Sequence, residues 1–68
     1  MLNKIRQAIE EKNLKITNVI RNIRVSKSYF YDVMNGNSIP SLVVARKIAH
    51  ELKVPLNELF PEQKFDSY

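Results

Sequence analysis

The run from Val25 to Gly36, V-S-K-S-Y-F-Y-D-V-M-N-G, constrains this chain more than any other stretch. It reads as a helix with one apolar face and a second face that has no core to enter. Ser26 offers a hydroxyl to the free N–H groups of a first turn. Gly36 offers a stop, because glycine takes a left-handed conformation cheaply. At about 100° per residue, Phe30, Val33 and Met34 fall on one side, with Ser28 and Asp32 opposite. Lys27, Tyr29 and Tyr31 lie on the flanks. A merely wet helix face is normally Glu, Lys and Gln. This one carries groups suited to contact with another surface.

The remaining chain reads as four more short helices. Residues 2–13 place Leu2, Ile5, Ala8, Ile9 and Lys12 at helical spacing, with Asn3 as a possible cap. Asn13 suits a left-handed ending, after which Leu14 is expected to plug into the core. Residues 16–23 put Val19, Ile20 and Ile23 on one side and Thr17, Asn18, Arg21 and Asn22 outside. Strict alternation fails there, which favours helix over strand. Asn35 to Pro40 is a loop of turn-forming residues. Ser41 caps a helix running to about Leu52, with Leu42, Ala45, Ile48, Ala49 and Leu52 as its core face. Pro55 suits the first position of a last helix through Phe60, packed by Val54, Leu56, Leu59 and Phe60. Pro61 stops it, leaving residues 61–68 as a short tail. The expected fold is all-α, one compact domain over residues 1–60, with helices 2 and 3 as a helix-turn-helix.

Composition narrows the function. A chain of 68 residues builds one small core. With no cysteine it has neither disulfides nor a thiolate metal site, and His50 is alone and reads as solvated, so no metal is expected. No carboxylate pair, nucleophile constellation or glycine-rich phosphate loop is present, so neither an enzyme nor a cofactor is expected. No apolar run approaches the roughly 20 residues that span a bilayer, so no membrane association is expected. Met1 leads straight into an amphipathic pattern with no signal peptide, making the cytoplasm the expected location. The net charge of +4 sits in the first third, where Lys4, Arg6, Lys12, Lys15, Arg21 and Arg24 face only Glu10 and Glu11. Such a domain attracts polyanions, nucleic acid being the usual one.

The ordered set V-S-K-S-Y-x-x-x-V-x-N-G, then Pro40-Ser41-Leu42, then Val54-Pro55-Leu56-Asn57-Glu58-Leu59-Phe60, resembles the Cro and phage-repressor type of helix-turn-helix domain, the XRE family. The resemblance covers residues 2–60. It implies a five-helix, lambda-repressor-like fold whose third helix enters the DNA major groove. Departures occur at Ile16, where the family often has a phosphate-binding glutamine, at Ile20, where it has alanine, and at Arg24, where it has glycine in the turn. Many members also pair a late helix 1 arginine with a glutamate ending helix 3. The matching residues here are Ile9 and Met34, both apolar and expected to touch.

The resemblance implies roles. Lys27, Ser28, Asp32 and Tyr31 are expected at base edges: Lys27 toward guanine, Ser28 as donor or acceptor, Asp32 toward cytosine N4, Tyr31 toward a thymine methyl or a phosphate. A local bond to Ser28 or Lys27 is the alternative for Asp32. Phosphate contacts are expected from Lys15, Thr17 and the start of helix 2, from Tyr29 (or packing alone), and from Asn35, Asn37, Ser38 and the loop N–H groups. A homodimer on a pseudo-palindrome of double-stranded DNA is implied, with Leu56, Phe60, Phe65 and Tyr68 as its surface. The expected function is a transcriptional repressor or copy-control switch with no small-molecule substrate. The rival is a protein-interaction module, or an antitoxin using the same face.

Overall fold

The structure, a computed structural model, describes residues 3–62. Among them the elements are five helices: α1 Ile5–Glu11, α2 Ile16–Ile23, α3 Lys27–Met34, α4 Leu42–Leu52 and α5 Leu56–Leu59. Helices α2 and α3 are those the apolar spacing predicts. At α1 the periodicity overran both ends, and α5 starts one residue after Pro55 and ends before Phe60.

Helix ends are set by local chemistry. The Ser26 Oγ accepts from Tyr29 N at 3.1 Å, and the Ser41 Oγ accepts from Val44 N at 3.2 Å. Each such cap contributes about 1 kcal/mol. Four residues with positive φ lie just past helix ends: Asn13 at 54°, Arg24 at 59°, Gly36 at 83° and Lys53 at 57°. At α1, Asn13 N donates to Glu10 O and Leu14 N to Ile9 O. At α4, Lys53 N and Val54 N repeat the pattern on His50 O and Ala49 O. These paired bonds satisfy carbonyls that the helix leaves open.

The bond from Leu14 to Ile9 also corrects an expectation. It turns the chain back over the end of α1, and Leu14 is left 38% exposed instead of entering the core.

The core draws on every helix. Ile5, Ala8 and Ile9 come from α1, Val19 and Ile23 from α2, Phe30, Val33 and Met34 from α3. Ala45, Ile48, Ala49 and Leu52 come from α4, with Leu59 and Phe60 at the end. Ile9 and Met34 thus share one apolar core, where many relatives are implied to hold an ion pair. Ile16, Ile20 and Leu56 are half-buried against its edge. No polar or charged residue is buried among the described residues. Polar links instead tie the helices at the surface: Lys4 N donates to Leu59 O at 2.9 Å, and Asn22 Nδ2 to Glu51 Oε2 at 2.7 Å.

Phe60, expected on a dimer surface, is 1% exposed. Its ring is spent on the chain's own core and is not available at the surface. Phe65 and Tyr68 lie outside the described residues.

Candidate nucleic-acid interface

Helix α3 is anchored by its apolar side and offers the other. Phe30 and Val33 are fully buried and Met34 nearly so. Truncating a buried Phe typically costs about 3–5 kcal/mol, so this side alone fixes the helix. Opposite them Ser28 and Asp32 are exposed, and Lys27 is exposed on the flank in the first turn. Tyr29 and Tyr31 are half-buried, their rings packed against the core. A tyrosine held this way has one end apolar and the other wet. The four residues expected at base edges therefore share one surface, three of them exposed and Tyr31 half-buried.

The first flank of this surface is the start of α2. Lys15 occupies the N-cap position in an extended conformation, and no side chain caps the helix there. An uncapped N-terminus carries partial positive charge on free N–H groups, and Lys15 adds a full one. Thr17 is exposed in the same turn. An anion here would meet a cation, a hydroxyl and a helix terminus together.

The second flank is the segment after α3, and it is built differently from expectation. The loop N–H groups were expected to clamp a phosphate. Instead Gly36 N donates to Val33 O at 3.1 Å, Asn37 N to Asp32 O at 2.8 Å and Ser38 N to Asp32 O at 3.2 Å. The end of α3 uses these amides because its last carbonyls have no other partner. The amides of Gly36, Asn37 and Ser38 are therefore not available to a phosphate. Of the side chains expected there, Asn37 is exposed, Ser38 is half-buried and Asn35 is exposed but engaged.

Asn35 is engaged by a residue that sequence reasoning missed. Arg6 Nη2 donates to Asn35 Oδ1 at 2.6 Å. Nearby, Asn3 Nδ2 donates to Val33 O at 2.8 Å while Asn3 Oδ1 accepts from Ile5 N at 3.1 Å. Asn3 is expected to cap α1, but the N-cap position is Lys4, with no side-chain cap bond, and Asn3 reaches the Ile5 N–H from one residue further out. It also staples the start of α1 to the end of α3. Arg6 places a cation beside the negative end of the α3 dipole. A contact across 29 residues leaves no local signal that could have announced it.

Arg24 stands apart from both flanks. It lines a hollow with Asn22, Ile23, Lys47, His50 and Glu51, between the end of α2 and α4, and no residue of α3 lines that hollow.

Two short helices joined through a left-handed residue, the second with an exposed polar face, define an all-α helix-turn-helix domain. The family model described as helix-turn-helix matches residues 5–59, all five helices, and the chain belongs to that family of Cro and repressor type. The protein is accordingly a DNA-binding transcription regulator. No curated protein matches the chain. Among the described residues no group of His, Cys, Asp or Glu is placed to hold a metal ion. No helix of the described residues is long and apolar enough to cross a membrane.

Proposed function

We propose that the protein is a repressor that reads a pseudo-palindromic operator as a homodimer, each copy inserting α3 into one major groove. The observation that carries this reading is the exposed set Lys27, Ser28 and Asp32 on a helix anchored by buried Phe30, Val33 and Met34. The major groove admits one helix, and its base edges distinguish all four pairs. Residues near the start of such a helix reach deepest, which favours Lys27 and Ser28 as primary readers. Lys27 donates to guanine O6 and N7. Ser28 serves as donor or acceptor. Asp32 accepts from cytosine N4, and Tyr31 contacts a thymine methyl at the edge of the footprint. Lys15, Thr17 and the start of α2 hold one strand's phosphates, with the Tyr29 hydroxyl beside them. Asn35, Asn37 and Ser38 hold the other strand through side chains. These contacts orient the domain without reading sequence.

Selection of bound duplexes from random DNA tests the reading. An inverted repeat that is lost on Lys27→Ala with Ser28→Ala is the expected outcome. Binding that ignores sequence in both proteins would remove α3 as a reader. The rival, a partner protein held by Tyr29 and Tyr31, is separated by salt. DNA affinity falls steeply with ionic strength through counterion release, whereas an aromatic protein contact does not.

A further inference from the structure

The segment that follows α3 has no charge of its own. From Val33 to Ala45 no residue is charged, although 26% of the chain is. The amides of Gly36, Asn37 and Ser38 donate to carbonyls at the end of α3. A DNA backbone is held mainly by cations, and this segment supplies none.

One cation is brought to it from the other end of the chain. Arg6, on α1, donates from Nη2 to Asn35 Oδ1 at 2.6 Å. Both residues are exposed. The guanidinium meets this neutral amide and not the carboxylates of Asp32 or Glu10, which lie about one turn away along α3 and α1. A neutral partner leaves its charge available to an anion. The bond uses one of five N–H donors, set in a planar fork that suits phosphate oxygens.

The placement is fixed by more than this one bond. Ile5, beside Arg6, is fully buried. Asn3 Nδ2 donates to Val33 O at 2.8 Å and fastens the start of α1 to the last turn of α3. The bond sets Asn35 in turn. A guanidinium only donates, so it selects the amide oxygen and turns Nδ2 away from itself. Arg6 and Asn35 then present N–H donors and a positive charge together, which is the chemistry that holds a phosphate.

We propose that Arg6 contacts a DNA phosphate on the far flank of α3, with Asn35 as its positioning residue. The proposal rests on the reading of α3 as the helix that enters the groove, and it adds to that footprint a charge from α1.

Salt titration of duplex binding by the full chain tests it. Arg6→Gln keeps a good helix former at an exposed position, and urea unfolding reports whether the fold is retained. Its plot of log affinity against log salt is expected to become shallower by about 1, with random and selected duplexes weakened alike. Arg6→Lys returns the charge and is expected to recover the wild-type slope. Asn35→Ala is expected to weaken binding at an unchanged slope, and to cost less in the Arg6→Gln background than in wild type. An Arg6→Gln protein that is less stable in urea but keeps the wild-type slope would overturn the proposal, leaving Arg6 as a contact to the negative end of α3 alone. An equal cost of Asn35→Ala in both backgrounds would remove Asn35 as the positioning residue. The reading of α3 fails separately. If Lys27→Ala with Ser28→Ala changes nothing while Arg6→Gln flattens the slope, α3 is not the reader and the Arg6 contact stands. An intact inverted repeat with an unchanged Arg6→Gln slope sinks the Arg6 contact alone.

Discussion

The two flanks of α3 are made from opposite materials. On the α2 side, Lys15 sits exposed at a helix start that no side chain caps. On the far side, the amides of Gly36, Asn37 and Ser38 are consumed by the end of α3, and residues 33–45 carry no charge. One flank is open to a polyanion. The other is closed by its own backbone and presents amides, a hydroxyl and aliphatic groups. The contrast teaches that the proposed phosphate contacts are lopsided in kind, with Coulomb attraction from Lys15 on one side and short-range contact from Asn37 and Ser38 on the other.

The comparison presumes that the helix between the flanks is the reader. Lys27→Ala with Ser28→Ala is expected to cost about 30-fold to 10⁴-fold in affinity for the selected site, from two contacts worth about 1–3 kcal/mol each. Competition assays against random DNA check this, because a loss shared equally by random duplexes would place the two residues on phosphates. The apolar tie between α1 and α3 comes next. Ile9→Ala and Met34→Ala are expected to couple by about 0.5–3 kcal/mol in a double-mutant cycle from urea unfolding, as contacting core residues do. Strict additivity would show that the two do not touch.

The lopsidedness itself predicts a difference in salt response. Lys15→Ala is expected to weaken binding to all sequences and make the salt slope shallower by about 1. Asn37→Ala is expected to weaken binding less and leave the slope where it was. Equal slopes for the two variants would break the comparison. The smallest effect expected is at Arg24, whose φ of 59° suits glycine. Arg24→Gly relieves a conformation costing about 1–2 kcal/mol for a side-chain-bearing residue, partly offset by glycine's larger unfolded-state entropy. A gain of up to about 1 kcal/mol in urea unfolding is expected, with the DNA salt slope unchanged because Arg24 lies in the α2–α4 hollow.

Much of this architecture was legible in the residues. Apolar spacing located α2 and α3 to the residue, and Ser26, Ser41 and Gly36 marked their roles, because caps and left-handed stops act through neighbours in the chain. The errors came where distant partners decide. Leu14 is apolar and follows a stop signal, but its exposure depends on how the reversal lands. Phe60 ends a four-residue helix, too short for periodicity to say which way a ring faces. The loop 35–40 announced a turn by composition, but not that its amides would go to Asp32 and Val33. Arg6 and Asn3 reach α3 from the far end of the chain, and no spacing rule connects them.

The doubly accepting carbonyl of Asp32 has an evolutionary consequence. The loop is fastened to the reading helix through main-chain atoms, independent of which side chains occupy the helix surface. Substitutions at positions 27, 28, 31 and 32 can therefore remake the outer surface of α3 without releasing the loop that follows it.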